Sequence, residues 1–109
     1  MKKKKNKILL LGSSGVLGKK LYQELIKKNF IIHNGIKKRK LNLVNINNLK
    51  KLVLKSKPDL IVNCLAITNI DFCEKNPKLS FKVNVQIVEN IFKIKKKNAL
   101  KFKFIQIST

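Results

Sequence analysis

A chain of 109 residues holds at most one domain, long enough for a real core, and with 44% hydrophobic residues it is too apolar to be disordered by composition. It carries 26 Lys and Arg against 5 Asp and Glu, a formal charge of +21. The basic residues are spread through the chain and nearly all Lys, and the Phe residues follow apolar patterns, which argues for compositional bias and against a base-stacking nucleic-acid module. Salt-sensitive, non-specific attraction to polyanions still follows from the charge.

Lys2 to Lys5 precede a first strand, Lys7 to Gly12. Its apolar run, Ile8 to Leu11, is too short for a signal peptide or a membrane span, so a cytoplasmic protein without a membrane partner is expected. The run leads straight into Gly12-Ser13-Ser14-Gly15-Val16-Leu17-Gly18, which holds three of the chain's four glycines. A strand, a glycine turn and a helix N-terminus make a cradle for a pyrophosphate, because N–H groups at the helix start point outward and its dipole favours negative charge. Gly12 permits the turn, Gly15 lets the backbone approach the phosphates, and Gly18 lets the helix pack on the strand. Ser14, Val16 and Leu17 belong to the same candidate cofactor-binding turn.

A helix follows from Val16 to Lys28, with Leu17, Leu21 and Leu25 on one face and Tyr22 and Ile26 beside them. Asn29 suits its left-handed cap. Phe30 to Asn34 reads as a second strand closed by Gly35, and Lys37 to Lys40 as a basic loop. NAD-preferring sites place Asp or Glu at the end of the second strand, on the ribose 2′-hydroxyl. No acid lies between Glu24 and Asp59; Lys37, Lys38 and Arg39 occupy that region and suit the 2′-phosphate of NADP. Leu41-Asn42-Leu43 reads as a short third strand.

Asn45 caps a helix from Ile46 to about Lys55, and Lys57-Pro58-Asp59 breaks it. Leu60-Ile61-Val62 is a continuous apolar strand, as inside a parallel sheet. Ala66 to Lys75 is a loop or short helix. Asn76 and Pro77 start a long helix reaching about Lys97, and Phe102 to Ile107 is the last strand. The alternation predicts an α/β fold, a doubly wound, Rossmann-like parallel sheet. On the long helix Phe81, Val85, Val88, Ile91 and Phe92 form an arc continued by Val83, Ile87 and Ile94. Asn84 falls inside it and predicts a buried amide, either structural or ordering the backbone of a site. Cys64 and Cys73 lack Cys-x-x-Cys spacing and His33 stands alone, so reduced thiols and no metal site are expected. Asp71 and Glu74 suit a surface or capping role. The chain stops at Gln106-Ile107-Ser108-Thr109, on the C-terminal end of a strand. The expectation is the N-terminal part only of a longer protein, with residues 1–109 as its cofactor-binding domain and the substrate side elsewhere.

In sequence, Gly-x-x-Gly-x-x-Gly after the first strand, Asn63-Cys64-Leu65-Ala66 after a later one and the final Ile107-Ser108-Thr109 resemble the extended short-chain dehydrogenase/reductases. Lys57 to Asn63, Thr68 to Glu74 and Lys82-Val83-Asn84 are most similar to the dTDP-4-dehydrorhamnose reductase branch, and the likeness covers nearly the whole chain. The resemblance implies an NAD(P)H-dependent reductase of a nucleotide-linked 4-keto sugar. It implies that the glycine turn binds the cofactor pyrophosphate and that Ala66, Ile67 and Thr68 lie along the cofactor. It also implies that Asn42 and Leu43 lie near the adenine, that Asn84 is the family's helix Asn, and that Thr109 bonds the substrate carbonyl as a catalytic residue. The implied cofactor is NADP or NAD, the implied partner a nucleotide-sugar substrate, with a homodimer as a candidate assembly and no specific nucleic acid.

Three positions depart from the pattern. The family's Tyr-x-x-x-Lys pair is absent: Tyr22 is the only tyrosine, and position 26 is Ile26. Asn42 stands where the family often has Asp, which weakens the adenine contact, and Leu11 where many relatives have Thr. A chain without the pair is expected to be inactive by itself. The alternatives are a non-catalytic relative, as in the regulatory subunit of methionine adenosyltransferase, and a nucleotide-sugar epimerase or dehydratase.

Overall fold

Asp59 gathers the N-terminal ends of three strands. Its N–H donates to the Lys7 carbonyl at 2.8 Å and its Oδ2 accepts from the Lys7 N–H at 2.8 Å, while its carbonyl accepts from Lys103 at 2.9 Å. From there β1 (Lys7–Leu11), β3 (Leu60–Asn63) and β4 (Lys103–Gln106) run parallel, and β2 (Ile31–Gly35) joins the far side of β1. The strand order is β2-β1-β3-β4. The structure, a computed structural model, describes residues 6–12, 16–28, 30–35, 43–65 and 70–107.

An unbroken apolar strand needs cover on both faces, and β1 has it. Ile8 and Leu10 pack with Val62 under Leu21, Tyr22 and Leu25 of helix α1 (Val16–Lys27). Leu9 and Leu11 face the other layer with Ile61. Leu49 and Val53 of α2 (Ile46–Ser56) cover that side, with Ile87, Ile91 and Ile94 of a later helix. Helices on both faces of a parallel sheet are the expected doubly wound arrangement. The second strand is displaced by one residue at each end from its expected span, and the last is shorter than Phe102 to Ile107. Phe102, 2% exposed, seals the core just before β4.

Helix α2 begins as its sequence dictates. Asn45 has extended backbone, and its Oδ1 accepts from the Asn47 N–H at 2.9 Å. It ends at Lys57, left-handed with φ 45, whose N–H donates to Val53 at 3.0 Å before Pro58 stops the helix. The expected strand at Leu41 to Leu43 is corrected at its described end. Leu43 and Val44 form a helical turn, with Leu43 1% exposed in the core. Packing into that core, beside the Asn45 cap, overrides the local strand preference.

After a short helix, α3 (Ile70–Lys75), the long helix runs in three continuous parts. They are α4 (Pro77–Phe81), a π-helical segment (Lys82–Gln86) and α5 (Ile87–Lys97). Asn76 sits at the N-cap position, but its side chain makes no capping bond. The single wide apolar arc resolves into two stripes. Val83, Ile87, Ile91 and Ile94 are buried, whereas Phe81, Val85 and Phe92 are exposed. A sheet takes one stripe of a helix. Asn84 lies between the stripes and is exposed, so the expectation of a buried amide there is corrected. The buried amide of this helix is Asn90, whose Nδ2 donates to the Val44 carbonyl at 3.5 Å. On α1, Leu17 and Ile26 are likewise exposed, and Leu21, Tyr22 and Leu25 carry the packing.

Candidate functional site

The chain leaves β1 for β2 on one side, and β3 lies on the other. That reversal makes a topological switch point at the C-terminal ends of β1 and β3, the place where open α/β sheets bind ligands. Gly12 stands there, just past β1, with φ +81 in the left-handed region that favours glycine. A Cβ on Gly12 would lie 2.8 Å from the Cys64 carbonyl carbon and 2.9 Å from the Leu65 nitrogen. The glycine therefore does more than turn the chain: it lets β1 close against the backbone that leaves β3. The Cys64 N–H donates to the Leu11 carbonyl at 2.8 Å and completes that contact.

Helix α1 starts at Val16, four positions after Gly12, and has no acidic residue in its first turn. Its N-terminus thus lies toward the C-terminal end of the central strand without a competing carboxylate. Gly18 is buried on this helix, and Leu17 is exposed beside it. Leu43 gives its side chain to the core. Asn84 is exposed within the π-helical segment, a form of helix common at functional sites. The other candidates lie outside the described residues: Ser14, Gly15, Lys37, Lys38, Arg39, Asn42, Ala66, Ile67, Thr68 and Thr109.

Two further residues belong to this edge. Asn63, the last residue of β3, is fully buried. Its Oδ1 accepts from the Leu65 N–H at 3.0 Å, and its Nδ2 donates to Gln106 Oε1 at 2.8 Å. Gln106 Nε2 donates to the Ile107 carbonyl at 3.3 Å. The sequence held a signal for this pair: two amides at the ends of two strands, which the register of β3 and β4 sets side by side. Finding it required knowing that these strands are neighbours. Cys64 and Cys73 are free thiols, and partial burial pushes the Cys64 thiol pKa up. Among the described residues no group of His, Cys, Asp or Glu could hold a metal ion, and no helix is long and apolar enough to cross a membrane.

A parallel, doubly wound sheet with a glycine turn at its point of reversal defines the Rossmann-like class. Within that class the chain belongs to the family described as the RmlD substrate binding domain, whose model matches residues 6–109. Its fold is similar to a dTDP-4-dehydrorhamnose reductase of Clostridium acetobutylicum, with a TM-score of 0.81 and 28% identity over 94% of this chain and 35% of that one. It is also similar to the dTDP-4-dehydrorhamnose reductase of Bacillus anthracis, solved in complex with NADP, with a TM-score of 0.79 and 26% identity over 94% and 36% of the two chains. Methionine adenosyltransferase 2 subunit beta of Xenopus laevis is 29% identical over 92 residues, 79% of this chain and 28% of that protein. The chain thus spans about a third of the length of the relatives it matches.

Proposed function

We propose that this chain is the cofactor-binding part of a cytoplasmic, NAD(P)H-dependent reductase of a nucleotide-linked 4-keto sugar. The observation that carries the reading is the switch point between β1 and β3. A left-handed glycine ends the central strand there, and a helix free of acids in its first turn starts four residues later. That arrangement suits a dinucleotide pyrophosphate, with Gly15 at its closest approach and the backbone of Ser14, Val16 and Leu17 around it. Lys37, Lys38 and Arg39, with no acid from Glu24 to Asp59, favour NADP over NAD. Asn42 and Leu43 would flank the adenine, and Ala66 to Thr68 would run along the cofactor. Thr109 would hydrogen-bond the substrate carbonyl. The Tyr and Lys that donate the proton and tune its donor are not among these 109 residues, so hydride transfer needs residues beyond them.

Titration of NADPH and NADH against the purified chain tests the reading. NADPH is expected to bind more tightly, and Gly15→Val to weaken it more than it lowers thermal stability. Tighter NADH binding overturns the NADP preference, and no binding of either overturns the cofactor role. The isolated chain is expected to oxidise no NADPH with a 4-keto sugar nucleotide; turnover above background would contradict the missing proton donor.

The similarity to a methionine adenosyltransferase subunit favours a second reading, a non-catalytic regulatory relative. Co-purification with a methionine adenosyltransferase, without turnover of any keto sugar by the full-length protein, would select it.

A further inference from the structure

We propose that Gln106 is a positioning residue which, through Asn63, fixes the Cys64–Leu65 peptide at the switch point between β1 and β3. Three hydrogen bonds run in one direction. The Leu65 N–H donates to Asn63, the Asn63 amide donates to Gln106, and the Gln106 amide donates to the Ile107 carbonyl. Each side-chain amide accepts on one side and donates on the other, so both orientations are fixed by the chain of bonds. The relay ties the backbone just past β3 to the backbone just past β4.

The Cys64–Leu65 peptide has little room to move. On one side the Gly12 backbone approaches so closely that even a Cβ would clash, and on the other Asn63 holds the Leu65 N–H. Asn63 is fully buried, and a buried amide that loses a partner seeks another or shifts. Gln106 is exposed and contributes little to the core. Its side chain is therefore free to serve orientation: its Oε1 keeps the Asn63 amide turned so that Oδ1 faces Leu65. Ala66 to Thr68 follow this peptide in sequence, and Ser108-Thr109 follow Ile107. The relay thus fixes the backbone from which both stretches continue. This consequence rests on the reading under Proposed function; the relay itself does not.

Two measurements on Gln106→Leu separate the two. Amide hydrogen exchange reads the peptide directly. The Leu65 amide should exchange about tenfold faster, as expected for loss of one buried hydrogen bond, while the Leu9 and Leu10 amides of β1 keep their protection. NADPH affinity should fall by a similar factor, with the melting temperature lowered by several degrees at most, as for the loss of one hydrogen bond in a domain of this size. Gln106→Glu keeps an oxygen for the Asn63 amide but loses the donor to the Ile107 carbonyl, so it should restore slow exchange at Leu65 in part. Unchanged Leu65 exchange in Gln106→Leu overturns the proposal, and so does acceleration shared equally by β1. Faster Leu65 exchange with full NADPH affinity overturns the positioning role. If the unaltered chain binds no NADPH but the exchange pattern is as described, the cofactor reading fails and the relay stands.

Discussion

Gly12 carries two constraints at once, and each forbids a side chain for its own reason. Its φ of +81 strains any residue with a Cβ, at a cost on the order of 1–3 kcal/mol. The atoms a Cβ would meet are backbone atoms of Cys64 and Leu65, which cannot swing aside as a side-chain tip would. Gly12→Ala should therefore lower stability by more than the backbone term alone, read as a fall in the denaturant midpoint at constant slope. A midpoint within error of the unaltered chain would show that the two strands part easily. Cys64, next to that contact, makes a separate prediction. Burial favours its neutral thiol, and only the thiolate reacts with alkylating agents. Its alkylation in the folded chain should be slower than in denaturant, with the pH–rate profile displaced to alkaline pH. The sign for stability follows: above the ordinary thiol pKa of 9.0, the unfolded chain has lost the proton that the folded chain still holds. Stability from this site therefore falls as pH rises through that window, and Cys64→Ser should remove that part of the decline.

At the scale of elements, local chemistry was readable where one residue type has one job. Asn45 in sequence predicts a cap, and its Oδ1 makes the capping bond. Asn45→Ala should cost about 1 kcal/mol in chemical denaturation. The four observed strands and their order of appearance were also legible, because apolar runs between helical patterns leave few choices, whereas the strand expected at Leu41 to Leu43 is helical at its described end. The long helix was legible in extent but not in orientation. Its sequence offers two apolar stripes, and only the sheet decides that Val83, Ile87, Ile91 and Ile94 dock while Phe81, Val85 and Phe92 stay out. The π-helical segment leaves no mark in composition, and with it the exposure of Asn84 was not readable. A pair of variants measures the difference between the stripes. Ile91→Ala removes buried methylenes and should cost about 2–5 kcal/mol, whereas Phe81→Ala, at 55% exposure, should stay within about 0.5 kcal/mol. Equal losses at both positions would place the second stripe in the core as well.

For the molecule as a whole, the sequence made the Rossmann-like class readable through one glycine turn between a strand and a helix. The hydrogen-bonded join between the ends of β3 and β4 was hidden, since it depends on which strands become neighbours. Charge is the remaining whole-molecule property, and it acts against the fold. With 26 cationic side chains and 5 carboxylates, most lysines have no anion to meet. The ion pair between Lys27 and Glu24, at 3.5 Å, has both side chains well exposed and contributes little. Lys50, Lys93, Lys96 and Lys97 instead share one groove of about 740 Å³ between α2 and α5. Repulsion of this kind is felt in the compact state and relaxed in the expanded one, so it lowers stability. Salt screens it over a Debye length that shrinks to about 10 Å at 0.1 M. The melting temperature should therefore rise steadily with sodium chloride from low ionic strength, opposite to a fold held by surface ion pairs. Over the same range, retention on a polyanion such as heparin should vanish, because it rests on counterion release from many lysines. The NADPH binding proposed above, which involves few phosphates, should lose much less. A melting temperature that stays flat or falls with salt would mean that the lysines find anionic partners in the folded chain and that the charge is structural.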